Sequence, residues 1–396
     1  MIYNRLKYAF LIISVFLISR VSSQISITGL EEGDYLNTVT TATPFLTITP
    51  DSRAGSMGEV GAATTADMYS LHWNPAKLAF VNSKRAGSMA YIPWLRKLVP
   101  DISMAYITLY NRINDNSAVS GALRYFSLGE ITFTDQTGTF IKTYSPNEFS
   151  VDLGYGMKFS SNFSGGVAMR YIYSDLTGGQ SVGEIETQPG QAFAVDLGTY
   201  YESDFTDNNQ WAIGMNISNI GTKISYTQDE YADFLPMNLK VGGRYSMKID
   251  DYNQFSIAMD INKLLVPTPP QYDDQGTITL GQDDGVSVVS GIFQSFGDAP
   301  GGIQEEWREL MYSFGMEYWY NNQFALRGGY FHEHATKGNR KYFTTGIGLK
   351  MTALTIDFAY LITANPGVVS PLEGTMRFSL TFDIAGLTSA IFNVNE

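Results

Sequence analysis

The side chains that most often perform catalysis or bind metal ions are scarce in this chain. It has three histidines, His72, His332 and His334, and no cysteine among its 396 residues. His332 and His334 would point to the same side of a strand, so one metal ion could bridge them. The sequence offers no assigned third ligand, and a zinc site needs three or four. We therefore predict no metal site, no cofactor and no catalytic residues, and we predict that the chain is not an enzyme.

Carboxylates are the more abundant chemical groups, and they gather in segments that read as loops. Adjacent acidic pairs occur at 31–32, 273–274, 283–284 and 305–306, and the formal net charge is −13. Such pairs are typical of solvated loops, although divalent-cation binding there stays open. A calcium loop of fixed spacing is not present. The acidic balance excludes nucleic acid as a partner, because phosphate binding needs clustered lysine and arginine.

An unusual composition predicts which secondary structure must position these groups. Only 16% of the residues are charged and 14% are aromatic, with 38 glycines, while the mean hydropathy is near neutral. A soluble domain carries about 25% charged residues, and a helical membrane protein shows apolar runs of about 18 residues. Neither description fits the chain beyond its N-terminus. A β protein is indicated, and a barrel in an outer membrane has this composition.

Two-residue alternation supports a membrane barrel. From Phe149 to Phe159 apolar side chains take every second position, and Ser150, Asp152 and Gly154 lie between them. An apolar face opposite a polar or very small face is typical of a membrane strand. We predict an all-β transmembrane antiparallel barrel of about fourteen strands. The predicted strands are 84–92, 101–110, 117–128, 147–159, 163–175, 191–203, 210–220, 236–248, 252–263, 310–320, 322–333, 341–351, 353–362 and 374–384.

The connections and the N-terminus give the predicted organisation. Short turns alternate with longer loops, which is how outer-membrane barrels distinguish their periplasmic and extracellular ends. We therefore predict an outer-membrane location with both termini in the periplasm and the long loops outside the cell. Residues 1–23 resemble a signal peptide, with a buried strand or helix as the alternative. Residues 24–82 are predicted to form a plug or hatch segment with a short helix broken at Pro75, and 83–396 the barrel.

One stretch resembles a known family. The Gly- and Ala-rich run 53–63 and Asn74-Pro75-Ala76 just before the first strand resemble the FadL-like superfamily of outer-membrane barrels. Within it the chain is most similar to the PorV (LptO) family of type IX secretion proteins from Bacteroidetes, on the basis of residues 41–53 (TATPFLTITPDSR), the Asn-Pro-Ala element and the long acidic loop before Trp307. The resemblance implies that the N-terminal segment is a hatch and that Asn74, Pro75 and Ala76 belong to it. The alternative for Asn-Pro is a simple change of chain direction.

The resemblance also implies a function and partners. Proteins of this family receive secreted cargo at the translocon barrel through the C-terminal domain of the cargo, and deliver it to the surface attachment (sortase) complex. Outer-membrane lipid and lipopolysaccharide are the expected surroundings. The long loop 264–309 is the predicted docking site. Its candidate partner-binding residues are Val286, Val288, Val289, Ile292, Phe293, Phe296 and Trp307.

Two alternatives stay open at this point, and two others are disfavoured. The loop 264–309 could instead fold back as a lid over the lumen. The chain could be a FadL-like transporter of hydrophobic small molecules, although the charged lumen phase of the strands argues against an apolar conduit. A passive porin or a lipid-modifying enzyme is disfavoured, the first by the predicted plug and the second by the missing catalytic groups.

Overall fold

Fourteen strands close into an antiparallel barrel. The computed structural model describes residues 35–134, 137–179, 186–227, 232–364 and 370–384, so the predicted signal peptide lies outside the described residues. Strands are numbered along the chain, and those of the barrel are β1 Arg85–Pro93, β2 Ser103–Asn114, β3 Ser117–Ser127, β6 Asn147–Lys158, β7 Phe163–Asp175, β8 Gly190–Glu202, β9 Asn209–Gly221, β10 Asn238–Lys248, β11 Asn253–Leu264, β14 Met311–Tyr320, β15 Phe324–His332, β16 Lys341–Lys350, β17 Leu354–Thr363 and β18 Met376–Asp383. The other four numbers belong to short strands in the loops, described below. Hydrogen-bonded neighbours in the barrel follow the order β1-β18-β17-β16-β15-β14-β11-β10-β9-β8-β7-β6-β3-β2. The predicted fold class and strand number are confirmed.

Alternation explains why these segments form a barrel wall. In β6 the side chains of Val151, Leu153 and Tyr155 are exposed on the outside, while Ser150 and Asp152 are buried inside. An apolar outer face and a polar inner face suit strands that have lipid on one side and a filled lumen on the other. Of the described residues, none belongs to a helix long and apolar enough to cross a membrane.

One predicted turn was too long. The predicted strands 101–110 and 117–128 leave residues 111–116 as a turn, but β2 continues to Asn114 and only two residues separate it from β3. The strand continues because both neighbours extend alongside it: Asn111 pairs with Arg85 of β1, and Arg112 with Ala118 of β3. Polar residues at the end of a strand therefore do not by themselves indicate a turn.

Short and long connections alternate around the barrel as predicted. We call the end with the connections 94–102, 128–146, 176–189, 222–237, 265–310, 333–340 and 364–375 the long-loop end, and the other the short-turn end. Several long loops contain strands or helices that were not predicted from the sequence. Loop 128–146 holds the hairpin β4 Ile131–Thr134 and β5 Phe140–Tyr144. Loop 265–310 holds β12 Gln271–Tyr272, β13 Ile278–Leu280 and the helices Val288–Gln294 and Ile303–Arg308.

Of the described residues before β1, the stretch 42–81 lies in the lumen, and we call it the lumen segment. It forms a 3₁₀ helix Pro44–Thr47, helical turns Ser52–Gly55 and Ser70–Trp73, and a second 3₁₀ helix Pro75–Phe80. Side chains of this stretch such as Phe45, Leu71 and Leu78 are buried against inward-facing strand residues. The predicted break at Pro75 is present, because proline has no N–H to donate and Asn74 is extended.

Candidate functional site

The motif Asn74-Pro75-Ala76 links the lumen segment to the barrel wall, and we call these three residues the fastener. The Asn74 Oδ1 atom accepts a hydrogen bond from the backbone N–H of Ala76 at 3.1 Å, which caps the 3₁₀ helix Pro75–Phe80. The Asn74 Nδ2 atom donates to the backbone oxygen of Ala62 at 3.1 Å and to that of Thr199 in β8 at 2.9 Å. Asn74 is completely buried, so its amide joins two parts of the segment and one strand.

A groove of glycines in the wall receives this motif. Gly166, Gly198 and Gly214 face the lumen on the successive strands β7, β8 and β9. A Cβ atom added to Gly166 would lie 2.3 Å from the backbone nitrogen of Ala76, and one on Gly214 would lie 2.0 Å from the backbone oxygen of Ala62. Only residues without a side chain allow the two backbones to come so close. Glycine on the lumen phase of neighbouring strands is the sequence signal that could have located this groove.

Replacing Asn74 by alanine is expected to loosen the lumen segment. The variant loses one cap and leaves two buried carbonyl oxygens without these donors, at a cost of about 2 kcal/mol. Hydrogen–deuterium exchange of residues 61–80 should rise by at least tenfold. Asn114→Ala is the matched control, because Asn114 caps Asn116 in the same way but in an exposed turn. Equal exchange in the two variants would contradict the fastening role.

An ion pair and hydrogen bonds to a buried carboxylate hold the rest of the segment. Arg53 of the segment donates to Glu317 at 2.7 Å, and Glu317 also accepts from Arg327 at 2.7 Å. The Asp260 carboxylate accepts from the backbone N–H groups of Gly61 and Ala62 at 2.7 and 3.0 Å. Lumen carboxylates such as Glu317 and Asp260 are therefore bonded to groups of the segment, and Glu317 is bonded to the wall as well.

The three histidines occupy different places. The Nδ1 atom of half-buried His72 lies 2.7 Å from a guanidinium nitrogen of Arg124, and desolvation together with that charge holds the pKa of His72 well below its ordinary value. His332 and His334 lie at the long-loop end, where their Nδ1 atoms contact Tyr330 at 3.3 Å and Thr336 at 2.9 Å. Within the described ranges, no three His, Asp or Glu residues form a group that could hold a metal ion.

The predicted docking residues lie on a folded part of the rim, residues 286–309, which we call the rim platform. Its helix Val288–Gln294 is capped by Ser287, whose hydroxyl accepts from the Ser290 N–H. The candidates divide into two sets. Val286, Val288 and Ile292 pack against a core of Phe234, Met237, Leu265 and Val266. Val289, Phe293, Phe296 and Trp307 point outward, with 66%, 75%, 51% and 64% of their surface exposed.

A buried ion cluster fixes the platform to the barrel. The Lys263 ammonium at the end of β11 contacts Glu306 at 3.0 Å and Glu309 at 2.5 Å. The Lys337 ammonium from the neighbouring loop contacts Glu305 at 2.6 Å and Glu309 at 3.0 Å. The prediction that the pair 305–306 is solvated loop charge is wrong, because both carboxylates are ion-paired and Glu306 is buried. Their lysine partners are distant in sequence, so no local pattern indicates them.

The platform should respond to pH through Asp298. Burial, together with the nearby Glu306 and Glu309 carboxylates, raises the pKa of Asp298 to about 6. The folded loop therefore binds this proton more tightly than the unfolded loop, and its stability falls as the pH rises through 6. We expect residues 265–310 to be better protected from hydrogen exchange at pH 5 than at pH 7.5, after correction for the intrinsic rate. Asp298→Asn should remove the difference, and an unchanged pH dependence in that variant would refute the assignment.

Comparison with known proteins agrees with this architecture. A family model described as type IX secretion system protein PorV matches residues 31–271, more than half of the chain. The TodX deltaS2S3 mutant, a monoaromatic hydrocarbon channel, is 12% identical, with 84% of this chain and 98% of that chain covered at a TM-score of 0.50. No curated protein matches the chain.

Two further solved structures are similar at lower TM-scores. The toluene transporter TbuX of Ralstonia pickettii is 13% identical, with coverages of 85% and 97% and a TM-score of 0.47. A FadL homologue of Pseudomonas aeruginosa is 12% identical, with coverages of 88% and 99% and a TM-score of 0.44. At sequence identities this low, the similarity to solved structures shows only a shared fold. The match to the family model is what assigns the chain to a family. The chain belongs to the PorV family of type IX secretion system proteins, and it is a β-barrel of the bacterial outer membrane.

Proposed function

We propose that the chain is a non-enzymatic adaptor of type IX secretion. It binds the C-terminal signal domain of secreted cargo at the translocon barrel and passes the cargo to the surface attachment complex. The long-loop end faces the outside of the cell in this proposal, and both termini face the periplasm. Residues 24–82 serve as the plug, with Asn74, Pro75 and Ala76 as its fastener, and the exposed rim-platform residues contact a partner.

The rim platform is the observation that carries the proposal. Val289, Phe293 and Trp307 are more than 60% exposed. The platform that carries them is attached to the barrel by the buried ion pairs of Glu306 and Glu309 with Lys263 and of Glu305 with Lys337. The exposed apolar side chains therefore have a fixed position at the rim. Exposed aromatic side chains on a rigid support are typical of the residues that dominate protein interfaces. The platform therefore supports docking of a protein more than it supports a lid.

The lumen argues for the adaptor over the transporter. Residues 51–80 are packed against glycines on β7, β8 and β9 and are tied to the wall by Arg53 and Asn74. Passage of a hydrophobic molecule through the barrel requires these contacts to open. Docking at the rim requires no such change.

Affinity purification of the intact protein from its own outer membrane tests the proposal. A second barrel from the same membrane, carrying the same tag, is the control for non-specific recovery. We expect the translocon barrel and secreted proteins with the C-terminal signal domain to be enriched over this control. Recovery of a fatty acid or other hydrophobic ligand without any protein partner would contradict the adaptor and favour the transporter.

A further inference from the structure

The rim platform continues into the residues that precede it in the same loop. The side-chain nitrogen of Gln294, at the end of the platform helix, donates to the backbone oxygen of Asp283 at 2.7 Å. The side-chain nitrogen of Gln282 donates to the backbone oxygen of Gly297 at 3.1 Å. Residues 271–285, which include the strands β12 and β13, are therefore bonded to the platform. We call residues 271–285 together with the rim platform the loop surface.

The loop surface exposes many large apolar side chains. Tyr272 and Leu280 of the hairpin and Ile303 of the platform are 54%, 52% and 69% exposed. With the four outward platform residues described above, seven large apolar side chains each have more than half of their surface exposed. Exposed apolar groups gathered in this way mark an interaction site. They suit a partner that buries apolar side chains of its own.

The charge of the loop surface has one sign. Residues 265–307 contain seven acidic side chains and no lysine, arginine or histidine. The lysines that the loop contacts pair with the carboxylates at 305, 306 and 309, and Asp298 is buried. Among the described residues, no ion pair neutralises the other four acids, which are Asp273, Asp274, Asp283 and Asp284. Of these four, the first three are exposed.

The exposed aspartates are surface charges and not the ligands of a metal ion. Over the ranges that the structure describes, no three His, Asp or Glu residues are grouped so that they could hold one. The Asp273 carboxylate accepts from the backbone N–H groups of Gln275 and Thr277 at 2.9 and 2.8 Å. The Asp283 carboxylate accepts from the backbone N–H of Gly285 at 2.9 Å. These turns fix the two negative charges beside the apolar side chains.

Charge complementarity selects the partner. Opposite charges across an interface steer association, and like charges oppose it. A second copy of this chain would bring the same carboxylates to the contact, and an anionic lipid phosphate would be repelled in the same way. A basic side chain is attracted by the aspartates and also stacks on an exposed aromatic ring such as that of Phe293 or Trp307. A protein segment that combines apolar and basic side chains therefore fits this surface.

We propose that the loop surface binds a protein segment in which apolar side chains lie beside lysine or arginine. The apolar side chains pack on Val289, Phe293 and Trp307, and the basic side chains approach Asp274 and Asp283. This inference rests on the proposed adaptor function, because it gives the chemistry of the partner that the rim platform binds.

Fluorescence anisotropy with the purified full chain in a neutral detergent tests the inference. The probe is a short labelled peptide that alternates valine or phenylalanine with lysine. One comparison peptide carries glutamate in place of lysine, and another carries serine in place of the apolar residues. We expect saturable binding of the lysine peptide, at least tenfold tighter than that of either comparison. Binding should weaken as salt is added, because salt screens the attraction between exposed charges.

Asp274→Asn combined with Asp283→Asn tests the charges themselves. The double variant removes two exposed charges and keeps the shape of both side chains, including the acceptor oxygen. We expect it to weaken binding of the lysine peptide at least fivefold and to reduce the effect of salt. Glu130→Gln combined with Glu186→Gln is the matched control, because both glutamates are exposed in other long loops. The control should bind as the wild type does.

Four results would overturn the inference. They are no saturable binding of the lysine peptide; equal binding of a comparison peptide; equal binding by the wild type and the aspartate variant; and self-association of the purified chain that Phe293→Asp abolishes, which would make a second copy the partner. The adaptor proposal fails on a different result, the absence of protein partners recovered from the outer membrane. Circular dichroism and heat-dependent gel mobility verify that each variant retains the folded barrel.

Discussion

Replacing Gly166 by leucine is expected to drive the lumen segment out of its groove and open the barrel. A Cβ atom there would lie 2.3 Å from the backbone nitrogen of Ala76 and from the backbone carbonyl carbon of Pro75, which cannot move aside as a side chain can. Overpacking of this kind costs about 1–3 kcal/mol or more. Planar-bilayer recordings should change from a closed protein to stable open-channel currents, and exchange of residues 61–80 should rise at least tenfold.

Gly243→Leu is the matched control for this experiment. Gly243 lies in β10 of the same barrel, and the only atom near an added Cβ there is a backbone oxygen 3.8 Å away. The control should stay closed and protected, while Gly166→Ala should show an intermediate effect. A Gly166→Leu protein that folds and remains closed would show that the segment is not held by this groove.

Charging the exposed face of the rim platform is expected to remove partner binding. Val289→Asp combined with Phe293→Asp places two carboxylates where the proposed partner buries apolar surface. Interface residues of this kind contribute about 2 kcal/mol each, which is roughly a 30-fold change in Kd per residue. Recovery of the translocon barrel and cargo with the protein should fall to the background level.

The barrel itself should be unaffected by this double variant. Both side chains point away from the core of Phe234, Met237, Leu265 and Val266, so folding and membrane insertion should match the wild type. Phe140→Asp in the hairpin of another long loop is the control, since Phe140 is 63% exposed and apolar but lies outside the platform. Undiminished partner recovery with the platform variant, or equal loss with the control, would refute the platform assignment.

The barrel could be predicted from the sequence because its signal is local and repeated. The alternation of apolar and polar positions from Phe149 to Phe159 follows from the geometry of a single strand, and the connection lengths follow from its neighbours. The ends of strands could not be predicted as well, because pairing with adjacent strands overrides a polar composition. The extension of β2 to Asn114 is an example.

The sites could be predicted only in part, because they depend on contacts between distant residues. The sequence shows Asn74-Pro75-Ala76 as a motif. Its contact with Gly166 and Gly198 could not be predicted, because these glycines lie on two different strands that become neighbours only in the folded barrel. The exposed residues of loop 264–309 were identified as a group, yet the helix that directs Phe293 outward and Ile292 inward was not foreseen. The lysines that hold the platform lie outside it, at positions 263 and 337.

Photo-crosslinking in living cells tests the central claim that this protein works through its rim platform. A photoreactive residue is placed at position 293, with position 140 and the lipid-facing position 153 as comparisons, and adducts are identified by mass spectrometry. The account predicts discrete adducts from position 293 with the translocon barrel or with secreted cargo, and not from positions 140 and 153. Absence of any protein adduct at position 293, with adducts at the lipid-facing wall instead, would contradict it.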